Sequence, residues 1–159
     1  MDNKSVGFTC RGMKMTTKVL FLCTGNSARS QMAEAFLHKY GQGQFEPYSA
    51  GLEPKGLNPL TVSVMKEIGF DLTGYRSKGI GEFLGKEHFE YLVTVCHDAE
   101  QNCPRVWPGV NQRLHWSFED PAAFVGSQEE KLEKFRHIRD QIQEKVRSWL
   151  KEIGNGEPS

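Results

Sequence analysis

The chain has 159 residues, enough for one domain with a substantial buried core. Lys and Arg number 20 and so do Asp and Glu, so the charge calls for neither a nucleic-acid nor an acidic-membrane partner. No apolar run approaches a membrane span, and the cytoplasm is the expected location.

Residues 1–16 lack the apolar core of a signal peptide and read as a disordered N-terminal extension, with Met13 and Met15 both ahead of the first strand. A single catalytic domain is expected over 17–153 and a flexible tail over 154–159. KVLFLC (18–23) is apolar with little alternation, the pattern of a strand buried on both faces. RSQMAEAFLHKY (29–40) sets Met32, Ala35, Phe36 and Tyr40 on one helical stripe, and Gly41 marks its stop. FEPYSAG (45–51) is a second short strand. NPLTVSVMKEIGF (58–70) reads as a helix with Pro59 in its first turn and Gly69 at its end. The Gly-rich, charged stretch 74–88 is expected to hold a short helix. FEYLVTVC (89–96) and RLHWSF (113–118) are the third and fourth strands. Ser127 with Glu130 three residues on forms a capping box. Leu132, Phe135, Ile138, Ile142, Val146, Trp149 and Ile153 then hold one face of a long helix. Strands alternating with helices imply an α/β fold, a parallel sheet covered on both faces.

The polar loop between the first strand and the first helix carries the chemistry. It reads CTGNSARS (23–30), so Cys23 and Arg29 stand in the spacing C-x5-R with Ser30 behind. Backbone N–H groups wrapped around an oxyanion, aided by a helix start, make a phosphate cradle. The anion-binding set is Thr24, Gly25, Asn26, Ser27, Ala28, Arg29 and Ser30. Gly25 is expected to allow the tight turn, Asn26 to brace it, and Arg29 to offer two parallel donors. The field that holds an anion also favours the thiolate of Cys23, and Ser30 could bond that sulfur. A bare C-x5-R is equally a strand-ending core cysteine beside a solvated arginine. The strand before, the helix after, Gly25 and Ser30 favour the cradle. Cys10, Cys96 and Cys103 complete the cysteines, a set that in a reducing compartment suggests chemistry or metal more than a disulfide frame. Cys10 reads as a spare thiol.

KVLFLCTGNSARSQMAEAFL, YSAGLEP, GLNPLTVSVMKEIGFDLT, YLVTVCHDAEQNCP and LHWSFEDPA extend the comparison over nearly the whole chain. Across about 17–149 it resembles the thioredoxin-coupled arsenate reductases, which share the low-molecular-weight protein tyrosine phosphatase fold. The resemblance implies a three-layer α/β architecture with a central four-stranded parallel sheet. It also implies a relay. Cys23 attacks arsenate, Asp120 of the Asp-Pro pair donates a proton to the leaving water, Cys96 attacks Cys23, and Cys103 attacks Cys96. Thioredoxin would reduce the last disulfide, phosphate or sulfate would mimic the substrate, and the chain would be a monomer without metal or organic cofactor. Read without the resemblance, Cys96 could be a packing residue, Cys103 a surface thiol, and Asp120 a cap before Pro121. Zinc on Cys96, His97 and Cys103 has no usual ligand spacing.

Two features invite separate expectations. A helix running from Cys96 to Cys103 would hold the two Cα atoms ~10 Å apart, whereas a disulfide needs them within roughly 7 Å. Residues 97–104 are therefore expected to refold with redox state. Some reductases of this family bind potassium with residues aligned to Asn26, Glu34 and Ser49, but their further Thr and Asp ligands align with Arg76 and Lys78. Only a remnant of that site is expected, with the Lys78 ammonium or the Arg76 guanidinium in the ion's electrostatic role. Two rival functions use less of the chain. A phosphotyrosine phosphatase needs only Cys23, Arg29 and Asp120, with Phe124 beyond the Asp-Pro pair as a substrate wall. A non-catalytic anion-binding or redox-sensing module needs no turnover.

Overall fold

The computed structural model describes residues 15–154. Cys10, most of the expected N-terminal extension and residues 155–159 of the expected tail lie outside the described residues.

Strand β1 (Thr17–Cys23) is the hub, and every side chain from Val19 to Cys23 is buried. It is flanked by β2 (Phe45–Gly51) and β3 (Phe89–Thr94), with β4 (Val110–His115) on the outer side of β3. All neighbours pair in parallel, in the order β2-β1-β3-β4. A strand paired on both edges and covered on both faces can hold only apolar side chains, which is why KVLFLC shows no alternation. The helices are α1 (Arg29–Tyr40), α2 (Pro59–Glu67), α3 (His97–Asn102) and α4 (Gln128–Glu152). Single 3-10 turns stand at Ile80–Glu82, in place of the short helix expected within 74–88, and at Pro121–Ala123.

Register sorts the two faces of the sheet. Phe45, Phe21 and Tyr91 share one face, where Trp149 of α4 meets Tyr91 edge-on at 5.0 Å, Trp116 at 5.5 Å and Phe45 at 5.8 Å. Tyr48 is on the opposite face and packs its ring against Phe83 at 5.4 Å. The capping box at Ser127 and Glu130 is present. Leu150 joins the buried stripe of α4, whereas Ile153 falls at its C-cap and is exposed.

Three local readings shift. β4 begins at Val110, three residues before the expected 113, because Gly109 (φ +87°) turns the chain in and Val110 pairs with Phe89. Asn111, Gln112 and Arg113 are exposed on this edge strand, so it carries no apolar signal, and the apolar Trp116 lies beyond the sheet under α4. β3 ends at Thr94, and Cys96 is instead the N-cap of α3. Gly41 is right-handed (φ −77°), so its value is space: a Cβ there would stand 2.7 Å from the Leu37 carbonyl oxygen.

Trp149→Ala removes the ring on which Phe45, Tyr91 and Trp116 converge. We expect a loss of about 3–5 kcal/mol in urea unfolding; a loss below about 1 kcal/mol would show that α4 is held elsewhere.

Candidate active site

The parallel strands all end on one side, and order reverses beside β1, where α/β sheets form their ligand crevice. A cleft of about 700 Å³ opens there, lined by Cys23 from the end of β1, Cys96 and His97 beyond β3, and Asp120 beyond β4.

The loop after Cys23 owes its form to bonds on its outer side. The carbonyls of Cys23, Thr24, Gly25 and Ser27 accept from the amides of Leu52, Glu53, Lys55 and Asn58 at 2.8–3.1 Å. A trans peptide points its C=O and N–H in opposite directions, so tying the carbonyls outward leaves the intervening amides to the cleft. Helix α1 then starts at Ala28 with no side-chain cap on its first turn, the arrangement in which helix amides can receive an anion.

The left-handed residue of the loop is Asn26 (φ 50°), and Gly25 is not among the residues with positive φ. Asn tolerates this conformation better than most residues, and here its side chain is tied on every side. Its Nδ2 donates to Ser30 Oγ at 2.7 Å, and its Oδ1 accepts from the Lys78 amide at 2.7 Å and Gln31 Nε2 at 3.1 Å. Ser77 Oγ donates to the Asn26 carbonyl at 2.7 Å. Asn26 and Ser30 thus brace the loop from behind and do not line the cleft. Both also address the buried Cys23 sulfur: the Asn26 amide donates to it at 3.1 Å, and Ser30 Oγ lies 3.0 Å away.

Arg29 is nearly buried. Its Nη1 donates to the Phe118 carbonyl at 3.1 Å, and its Nη2 lies 3.7 Å from Asp120 Oδ2. Asp120 does cap its turn, accepting from the Ala122 amide through Oδ1 at 3.0 Å, and this leaves Oδ2 toward Arg29 and the cleft.

Cys96 faces the same cleft as Cys23. Its sulfur accepts from the Ala99 amide at 3.4 Å and lies 3.5 Å from Thr24 Oγ1, which donates to Asp98 Oδ2 at 2.8 Å. Cys103 is at the other end of α3, buried, and lines a different cleft. All three cysteines are free thiols.

Residues 18–158 match the family Low molecular weight phosphotyrosine protein phosphatase. The arsenate reductase of Halalkalibacterium halodurans is 43% identical over 136 residues, which cover 85% of this chain and 96% of that one. The arsenate reductase of Bacillus subtilis is 42% identical over the same shares. A solved arsenate reductase in the phosphate binding state has a TM-score of 0.72 at 32% identity, covering 87% of this chain and 99% of that chain. The chain belongs to the arsenate reductases of this family.

Behind the loop, Glu34 accepts from Ser49 Oγ at 2.5 Å, and its burial pushes the carboxyl up from its ordinary range. The Lys78 ammonium donates to the Arg76 carbonyl at 2.8 Å and to Ser49 Oγ at 3.4 Å, and stands 4.0 Å from Glu34 Oε1. The Arg76 guanidinium turns away and pairs with both oxygens of Glu82 at 2.8 and 2.9 Å.

Sequence reading missed Gly51, Gln31, Ser77 and Asp98. Gln31, Ser77 and Asp98 act through contacts 45 to 74 residues apart and Gly51 through the room a missing Cβ leaves, and neither has a local signature. Gly51 is the sharpest case: a Cβ there would stand 2.7 Å from the Thr24 carbonyl oxygen and 2.8 Å from the Asn26 nitrogen, both backbone. Gly51→Ala is therefore expected to destabilise the fold by about 1–3 kcal/mol, read from thermal unfolding. Unchanged stability would mean that the loop retreats freely.

Proposed function

We propose that the protein reduces arsenate to arsenite through a relay of Cys23, Cys96 and Cys103, and that thioredoxin restores the thiols. The observation that carries this reading is the sharing of one cleft by two cysteines, Arg29 and Asp120, with the third cysteine one short helix away.

The steps follow from that placement. Loop amides and the Arg29 guanidinium hold the tetrahedral anion. The Cys23 thiolate attacks arsenic while Asp120 donates a proton and water leaves. The Cys96 thiolate then attacks the Cys23 sulfur. A Cys23–Cys96 disulfide forms, the sulfur–arsenic bond breaks, and its electron pair stays on arsenic, which departs as arsenite. Cys103 next attacks Cys96 and releases the Cys23 thiolate, leaving a 96–103 disulfide for the two thiols of thioredoxin. No metal or organic cofactor enters, because the thiols carry the electrons. α3 separates Cys96 from Cys103 in the reduced protein, so this segment unwinds or folds over when the second disulfide forms. A phosphatase reading uses Cys23, Arg29 and Asp120 alone, and slow hydrolysis of aryl phosphates is expected as a side activity.

The relay predicts a distinct pattern of variants in an assay with arsenate, thioredoxin, thioredoxin reductase and NADPH. Cys23→Ser, Cys96→Ser and Cys103→Ser each abolish turnover. Cys103→Ser still yields one arsenite per chain and stops at the Cys23–Cys96 disulfide. Asp120→Asn lowers turnover by about 10²–10⁴-fold. Sustained turnover in Cys103→Ser would mean that thioredoxin reduces the Cys23–Cys96 disulfide directly. Sustained turnover of that variant with glutathione and glutaredoxin in place of thioredoxin would point to that reductant, and turnover independent of Cys96 would sink the relay.

Lys78 takes the electrostatic place of a potassium ion beside Glu34. Its ammonium already bonds Ser49 and the Arg76 carbonyl, and a second cation beside it would meet a like charge. Exchange of sodium for potassium at fixed ionic strength should leave Tm and the Michaelis constant unchanged, whereas a potassium-specific rise in Tm would refute the assignment.

A further inference from the structure

Cys103 lines a cleft of about 670 Å³ with Glu100, Arg105 and Arg113, apart from the cleft of Cys23. Two side-chain bonds meet on one backbone atom there. Cys103 Sγ donates to the Pro104 carbonyl at 3.6 Å, and Arg113 Nη1 donates to the same oxygen at 2.8 Å. Arg113 Nη1 also donates to the Arg105 carbonyl at 3.3 Å. The guanidinium and the thiol are neighbours across a shared acceptor.

We propose that Arg113 is a positioning residue for the last thiol step, readying Cys103 as the nucleophile that attacks Cys96. The proposal rests on the relay reading above. Only a neutral thiol can donate to the Pro104 carbonyl; a thiolate would set a second electron-rich atom against that oxygen. Arg113 removes the conflict, because a guanidinium offers five donors in a fixed fork. It can keep the carbonyl and still donate to the sulfur. Its charge also opposes burial, which pushes the Cys103 thiol up from its ordinary value.

The other charged groups nearby leave this role to Arg113. Glu100 disfavours the thiolate, but its carboxylate accepts from Thr94 Oγ1 at 2.6 Å and lies 3.8 Å from His115 Nδ1. Asp98 is turned to Thr24 and Asn102. Arg105 lines the cleft through an exposed side chain.

Arg113 also sits on β4, paired in the sheet with Leu92, and bonds the backbone just past α3. It therefore fixes the far end of the segment that must refold. In the step itself the Cys103 proton goes to solvent and the thiolate attacks Cys96 Sγ. The 96–103 bond forms as the 23–96 bond breaks, and Cys23 leaves as the thiolate.

The test has two readouts. In a chain carrying Cys10→Ser, Cys23→Ser and Cys96→Ser, Cys103 is the sole thiol, and serine keeps an N-cap at position 96. Its alkylation by iodoacetamide is followed against pH. Arg113→Gln should raise the midpoint by about one pH unit, and Arg113→Lys should hold it near the parent value. In the chain with all its thiols, one equivalent of arsenate is added and disulfides are quenched and mapped. Arg113→Gln should slow the 96–103 disulfide by about tenfold at pH 7 and recover at high pH, with the Cys23–Cys96 step unchanged. An unmoved alkylation midpoint, or a rate lost equally at every pH, would overturn the proposal. Absence of a 96–103 disulfide in the chain that keeps Arg113 would overturn the relay instead, and alkylation would still report whether Arg113 acts on the thiol.

Discussion

The outward bonding of the Cys23–Ser30 carbonyls is the constraint on which the site depends. A loop of this length has many conformations, and only one family of them turns successive amides to a common point. Residues 52–58 select it by capturing four carbonyls from outside. That capture needs β2 to end hard against the loop, which only a residue without a Cβ allows, hence Gly51. It also needs one left-handed residue, and such strain persists only where surroundings over-determine it. Asn26 meets that condition through bonds to Ser30, Gln31, Ser77 and Lys78. The anion cradle is thus set by the packing of β2, α1 and the 74–79 stretch around it before any ligand arrives.

The proposed relay would add an opposite demand, since one part near this rigid loop would have to move. Helix α3 has only six residues, and helices so short are marginal without tertiary support. Its support at one end is the Thr24 hydroxyl, which bonds Asp98 and approaches the Cys96 sulfur. At the other end it is Arg113, which grips the backbone past Cys103. A segment tied at both ends and weak between them can refold without disturbing the sheet. Thr24 belongs to the same loop as Cys23, so the hold on α3 is placed next to that cysteine.

Much of this was legible from local pattern. β1, the C-x5-R loop and the capped helix α4 each carry a continuous signal: an unbroken apolar run, a tight polar loop between strand and helix, a capping box before a periodic stripe. β4 was misplaced by three residues because an exposed edge strand needs pairing partners more than apolar side chains. The left-handed conformation falls on Asn26 because the fold holds that residue in place, its side chain by Ser30, Gln31 and the distant Lys78 and its carbonyl by the distant Ser77. Cys96 and Cys103 were legible as a pair, yet their separation into two clefts follows from α3 lying between them.

The same distinction bears on Arg76 and Lys78, between which the sequence did not choose. Both line the cleft that Glu34 also lines, and charge alone does not choose. Arg76 is claimed by Glu82 through a two-pronged pairing that suits a planar guanidinium. Lys78 has a compact ammonium on a flexible stem, which fits the half-buried space beside Glu34 and Ser49. Its own amide meanwhile bonds Asn26 Oδ1. One residue therefore neutralises the carboxylate behind the loop and pins the loop's strained residue. A tethered cation is not exchanged with solvent, so the ammonium that faces Glu34 is placed there by folding. The geometry of the cradle and the electrostatics behind it are in this way tied to a single backbone position.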